Sequence, residues 1–213
     1  AVVREFPAVR YETTKTDVRT DFRETIFWNP RVATDADGRA TVEFWLNDAV
    51  TSFKVLAEGS GTQGTPGRGE LVIDSRTPMH MEAKMPVALS AGDVVELPVR
   101  VSNETDNPLR IKGGIDLPKG LRAMFKQTRL ANFSLGGKDA ETFYLSMQAK
   151  PGRSSGDLGF WAEAEGLTDR VARTIRVEPV GFPVEQSVSS TVRDTKSAQV
   201  AIPEGVVEGS MQA

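Results

Sequence analysis

Val95-Glu96-Leu97-Pro98-Val99-Arg100-Val101-Ser102 decides the fold class. Its apolar residues fall on every second position, which puts Val95, Leu97, Val99 and Val101 on one face of a strand and the polar set on the other. The same period recurs in Thr142-Phe143-Tyr144-Leu145-Ser146-Met147-Gln148-Ala149, and around Val42, Phe44 and Leu46. Each large side chain buried on such a face contributes on the order of 1.5–3 kcal/mol. No stretch of helical length carries the 3.6-residue period, so helix is expected to be close to absent. Pro98 cannot donate to a ladder, which predicts an edge strand or a bulge there.

The punctuation between these runs agrees. Asp37-Gly38 separates residues 31–35 from residues 39–46 and reads as a hairpin turn, since Gly tolerates positive φ. Further turns are expected at Ala91-Gly92-Asp93, residues 103–108, Pro118-Lys119-Gly120, Gly136-Gly137, Pro151-Gly152 and Glu165-Gly166. Strands broken by turns every 8–12 residues or so predict an all-β fold of sandwich type. The glycines of residues 59–69 read as a flexible loop between strands, with Leu71-Val72-Ile73-Asp74 returning as a strand. Boundaries are expected near residues 75–78 and at Glu178-Pro179-Val180-Gly181, where the patterns loosen.

Composition removes much of the usual chemistry. The 213 residues contain no cysteine and one histidine, His80. Thiol nucleophiles, disulfides, cysteine-type zinc sites and His-rich metal sites are excluded from this stretch. The net charge of −3 and a pI near 5.4 argue against electrostatic nucleic-acid binding. No apolar run approaches the 18 or so residues of a transmembrane helix, and no membrane contact is expected. The N-terminus lacks a signal-peptide pattern. It opens on Ala1 rather than Met, and the chain is expected to be a piece of a longer protein.

The remaining constellations read as structural. Asp35-Ala36-Asp37-Gly38 begins like a calcium loop, but its Gly stands at position four rather than six, which leaves turn chemistry. The glycines of residues 59–69 lack the Gly-Lys-Ser/Thr ending of a phosphate loop. In Met79-His80-Met81-Glu82-Ala83-Lys84-Met85 the histidine shares a face with Glu82 and Lys84, and a solvent-facing position is expected for it. Asn103-Glu104-Thr105 and Asn132-Phe133-Ser134 match the glycosylation acceptor pattern, which matters only in a eukaryotic secretory protein. Glu163 and Glu165 read as solvated carboxylates on an exposed strand face. No catalytic, cofactor-binding or metal site is expected, and no enzyme activity.

Three stretches nevertheless carry a resemblance. Phe22-Arg23-Glu24-Thr25-Ile26-Phe27-Trp28-Asn29-Pro30 is followed by Thr34-Asp35-Ala36-Asp37-Gly38-Arg39-Ala40, and then by Leu46-Asn47-Asp48-Ala49-Val50-Thr51-Ser52-Phe53-Lys54-Val55-Leu56-Ala57. Together they resemble the signature of the alpha-2-macroglobulin family, with Arg23 in place of a usual proline and Phe53 in place of a usual tryptophan. Met85-Pro86-Val87-Ala88-Leu89-Ser90-Ala91-Gly92-Asp93, Val99-Arg100-Val101-Ser102-Asn103, Arg176-Val177-Glu178-Pro179-Val180-Gly181 and Ile202-Pro203-Glu204-Gly205-Val206-Val207 extend the likeness in collinear order.

The resemblance implies tandem fibronectin- or immunoglobulin-like macroglobulin sandwiches. On that template residues 1–76 are the C-terminal part of the domain bearing the bait region. Residues 77–180 form a complete macroglobulin domain, and residues 181–213 open a CUB-like domain. The parent is expected to be a broad-spectrum endopeptidase inhibitor whose partners are trapped proteases, and whose neighbouring macroglobulin, CUB and thioester domains share its chain. Missing cysteines lean towards the bacterial type, with a periplasmic or cell-envelope location, or otherwise secretion. The family's Gly-Cys-x-Glu-Gln thioester has no counterpart here, since Glu185-Gln186 follows Phe182-Pro183-Val184 and no cysteine. A tandem-sandwich adhesion or carbohydrate-binding module is the alternative.

Overall fold

The computed structural model describes residues 17–61, 63–124 and 128–182, with isolated positions between 184 and 211. Expectations for residues 1–16, for Glu185-Gln186 as a pair and for most of residues 181–213 lie outside the described residues. Two strands lie in the first third of the chain, β1 (Ser52–Ser60) and β2 (Pro66–Asp74). Nine follow: β3 (Met79–Ala83), β4 (Ala88–Ser90), β5 (Val94–Asn103), β6 (Leu109–Asp116), β7 (Leu121–Ala123), β8 (Phe133–Leu135), β9 (Asp139–Ala149), β10 (Ser154–Ala164) and β11 (Leu167–Glu178). The helix α1 (Thr128–Ala131) has four residues, so the expectation of almost no helix holds among the described residues.

Strands β3 to β11 form two facing sheets. One has the order β3-β5-β9-β7 and the other β4-β11-β10-β6-β8. Pairing is antiparallel except where β4 runs parallel to β11. The alternation that predicted strands also builds the core. Leu97, Val99 and Val101 of β5 and Phe143, Leu145 and Met147 of β9 point inward from one sheet. Leu158, Phe160 and Ala162 of β10 and Val171, Ile175 and Val177 of β11 meet them from the other. The chain changes sheet between β3 and β4, so the first strand covers an edge of each layer.

On the outer face, Trp161 sits opposite Gly114 in the β10–β6 register. A Cβ at residue 114 would lie 2.4 Å from the indole ring, so glycine is what lets the ring lie flat on the strand.

Pro98 departs from expectation, because β5 is an internal strand between β3 and β9. The reason is local. The Pro98 carbonyl accepts from the Lys84 amide at 3.3 Å, so the proline nitrogen faces the same side, one step beyond the last residue of β3. There the missing N–H costs no ladder bond.

The first third behaves differently. The expected turn forms, with Gly38 at φ 77° and the Asp35 carboxylate accepting from the amides of Asp37 (3.0 Å) and Arg39 (2.8 Å). Phe27 stacks on Phe44 across it at 5.3 Å. The flanking residues, including Val42, Phe44 and Leu46, are nevertheless not ladder strands. Alternation supplies a face, but a ladder also needs a paired backbone, and none of the described strands pairs with them. Residues 59–69 are more regular than the expected loop. Gly59 pairs with Gly67 and Ala57 with Gly69, leaving a short turn closed by the Gly61 amide on the Thr65 carbonyl at 2.9 Å.

Candidate functional site

Each sequence-level candidate has a structural position. The Asp35 carboxylate is spent on turn amides. Glu163 pairs with Arg170 at 3.0 Å, whereas Glu165 sits in the following turn at φ 46°, so the two carboxylates do not work as a pair. Asn103 is buried. Its Nδ2 donates to the carbonyls of Asn107 and Gly136, both at 2.8 Å, and its Oδ1 accepts from the Thr105 amide and hydroxyl. That amide ties two loops together and is not free to accept a glycan. Asn132 is exposed at the start of β8. Among the described residues, no three His, Asp or Glu side chains gather where a cation could sit.

His80 corrects the expectation of a solvent-facing residue. It is buried, its Nδ1 has no hydrogen-bond partner among the described residues, and its Nε2 stands 3.8 Å from a Glu82 carboxylate oxygen. Burial pushes its pKa below the ordinary histidine value, with Glu82 opposing and Arg19 reinforcing that shift. Alternation placed it correctly on the outer face of β3. It could not say that the outer edge of β3 is itself occupied.

The occupant is Arg19, a residue that no sequence motif singled out. Strand β3 is the last of its sheet, so alternate backbone groups point away from β5 with no ladder partner. At Met81 those groups are filled by side chains. The Met81 amide donates to Asp169 Oδ2 at 2.6 Å, and its carbonyl accepts from Arg19 Nη2, also at 2.6 Å. The guanidinium and carboxylate join through two bonds, Nε to Oδ1 at 2.8 Å and Nη2 to Oδ2 at 2.6 Å. This fork geometry is the strong form of an arginine–carboxylate pair. The side chains are only 15% and 8% exposed.

The same residue anchors the segment before it. Arg19 makes a parallel bridge to Val171, its amide donating to the Arg170 carbonyl at 2.7 Å and its carbonyl accepting from Ala172 at 3.0 Å. Its Nη1 donates to the Asp48 carbonyl at 3.0 Å. Asp48 in turn accepts from the amides of Thr20 (2.8 Å) and Asp21 (2.9 Å), and Asn47 Nδ2 donates to the Arg23 carbonyl at 2.7 Å. The ring of Phe22 lies under the Arg173 guanidinium at 4.5 Å and near that of Arg19 at 5.7 Å.

The Phe22-Arg23 and Asn47-Asp48 elements of the signature, far apart in sequence, are thus clasped together. They are fastened as one unit to the edge of β3 and to β11. Beside the clasp lies a cleft of about 770 Å³, walled by Phe22, Phe27, Phe44 and Phe53 on one side and by Met81 and Val171 on the other.

The fold and this junction define a class: an immunoglobulin-like macroglobulin sandwich, joined at its first and last strands to a preceding segment. Comparison with known proteins adds a likeness in sequence. Residues 25–113 match the alpha-2-macroglobulin family, a span that runs from the signature through β5 and most of β6. The chain is 25% identical over 172 residues to an alpha-2-macroglobulin of Thermotoga maritima, covering 80% of this chain and 11% of that protein. It is 24% identical over 188 residues to an alpha-2-macroglobulin homolog of Nostoc sp., covering 88% and 10% respectively. It therefore spans about a tenth of the length of the curated relatives it matches. Escherichia coli alpha-2-macroglobulin activated by porcine elastase shares the fold, with a TM-score of 0.59 at 20% identity over 68% of this chain and 13% of that one. The chain is thus similar to bacterial alpha-2-macroglobulins, as the motifs implied.

Proposed function

We propose that this chain is a non-catalytic structural segment of a broad-spectrum endopeptidase inhibitor, linking an upstream bait region to a downstream thioester domain. One observation carries the reading. Sequence similarity to a protein named alpha-2-macroglobulin extends over 80% of the chain. The two clasped signature elements support a mechanical role, because they join segments and present no reactive group. Residues 1–76 would be the end of the bait-bearing domain, 77–180 the macroglobulin sandwich, and 181–213 the start of a CUB-like domain. Buried apolar residues run from Met79 to Val177, which agrees with the middle division. The partners are the trapped proteases and the neighbouring domains of the same polypeptide, in the periplasm or cell envelope.

The test uses the intact parent protein in slight molar excess over an endopeptidase. The expected result is loss of activity on a protein substrate with activity on a small peptide substrate retained, as entrapment requires. Equal retention of both activities overturns the reading.

A further inference from the structure

We propose that Arg19 is a releasable latch, holding the segment of residues 19–23 and 47–49 on the sandwich in one of two discrete arrangements, latched or lifted. The inference does not depend on the proposed function. It rests on the concentration of attachments in one side chain. A single guanidinium binds the Asp169 carboxylate through two bonds, fills the edge carbonyl of Met81 and holds the Asp48 carbonyl. Its backbone adds the bridge to β11. These bonds share one rigid planar group, so a small withdrawal weakens all of them together, which favours two states over a graded slide.

The lifted state is accessible because of what it uncovers. Met81 lies at a sheet edge, so its freed carbonyl faces water once the segment moves away, while its amide keeps Asp169, whose carboxylate is solvated in place of the guanidinium. Of the apolar side chains packed against the core, Phe22 is the one that leaves with the segment, and the fully buried ones keep one another. Asp48 holds Thr20 and Asp21, and Asn47 holds Arg23, through bonds that do not involve the sandwich. The clasped pieces therefore leave as a unit. Opening at this joint is local unfolding at low free energy compared with disruption of the two sheets.

The experiment is amide hydrogen exchange on the 213-residue chain, comparing wild type with Asp169→Asn and with Arg19→Lys, which keeps the charge and loses the fork. Exchange at the amides of Arg19 and Ala172, which bond across the joint, should accelerate roughly a hundredfold in Asp169→Asn and by less in Arg19→Lys, while those of Thr20 and Asp21 stay held by Asp48. Amides of Val99, Val101 and Leu145 should stay within about twofold of wild type. Unchanged exchange at the two latch amides overturns the proposal. Acceleration of latch and core amides by the same factor also overturns it, because the pair would then be part of global stability rather than a separate joint.

Discussion

The segment of residues 17–78 and the sandwich that follows are built from similar sequence and end in opposite conditions. Both have alternating apolar positions, aromatic side chains and glycine-marked turns. All of the buried apolar side chains among the described residues belong to Met79 and beyond, whereas before Met79 the one buried residue is the polar Asn47. Trp28, Trp45, Leu56, Leu71 and Val72 are each more than half exposed. The β1–β2 hairpin is a full nine-pair ladder and still buries almost nothing. Ladder bonds make a strand, but stability comes from a second layer over its apolar face. The first segment is held to the molecule by a polar clasp and the ring of Phe22, the second by packing throughout.

This contrast can be broken by substitution. Phe160, 1% exposed at the centre of the sandwich, should lose about 3–5 kcal/mol on change to Ala, read as a drop in urea midpoint without a change in slope. Asn103→Ala leaves the Asn107 and Gly136 carbonyls and the Thr105 amide short of partners and should cost about 1–3 kcal/mol by the same measurement.

His80 gives a smaller effect with a definite sign. Its folded pKa lies below the ordinary value of 6.5, chiefly through burial, with Glu82, Glu104 and Asp169 opposing and Arg19 reinforcing. The unfolded chain therefore takes up a proton at a higher pH than the folded one. The contribution of neutral His80 is fully present above 6.5 and is lost as pH falls from there through the folded pKa. Urea midpoints measured at about pH 8 and about pH 5.5 should converge in His80→Gln relative to wild type. An unchanged difference removes His80 as its source. Last, Leu71→Ala should shift stability by less than about 0.5 kcal/mol, because the side chain is already 61% exposed. A loss comparable to that of Phe160→Ala would show that the hairpin is packed after all.

Much of the sandwich is legible in its sequence. Leu97, Val99 and Val101, and likewise Phe143, Leu145 and Met147, are named by alternation alone and are all buried. Ala91-Gly92-Asp93 is readable as a turn, and the Asp93 carboxylate closes it on the preceding Ser90 amide at 2.8 Å. The clasp was half legible. Its Phe22-Arg23 and Asn47-Asp48 elements stand out as family motifs, but their meeting does not. Arg19 and Asp169 carried no signal, since an arginine on the chain and an aspartate in a strand are ordinary until 150 positions close between them.

By itself the sequence determined the all-β class, the inward faces of the sandwich strands, the turns and the resemblance to alpha-2-macroglobulins, because each rests on local period or on residue order. Tertiary structure decided which faces are covered, why an internal strand tolerates Pro98, and that His80 is buried. It also decided that Arg19 and Asp169 close the edge of β3. The physical reason is the same in each case. Periodicity is a property of one strand, whereas burial, edge protection and a buried ion pair depend on what a distant part of the chain brings alongside.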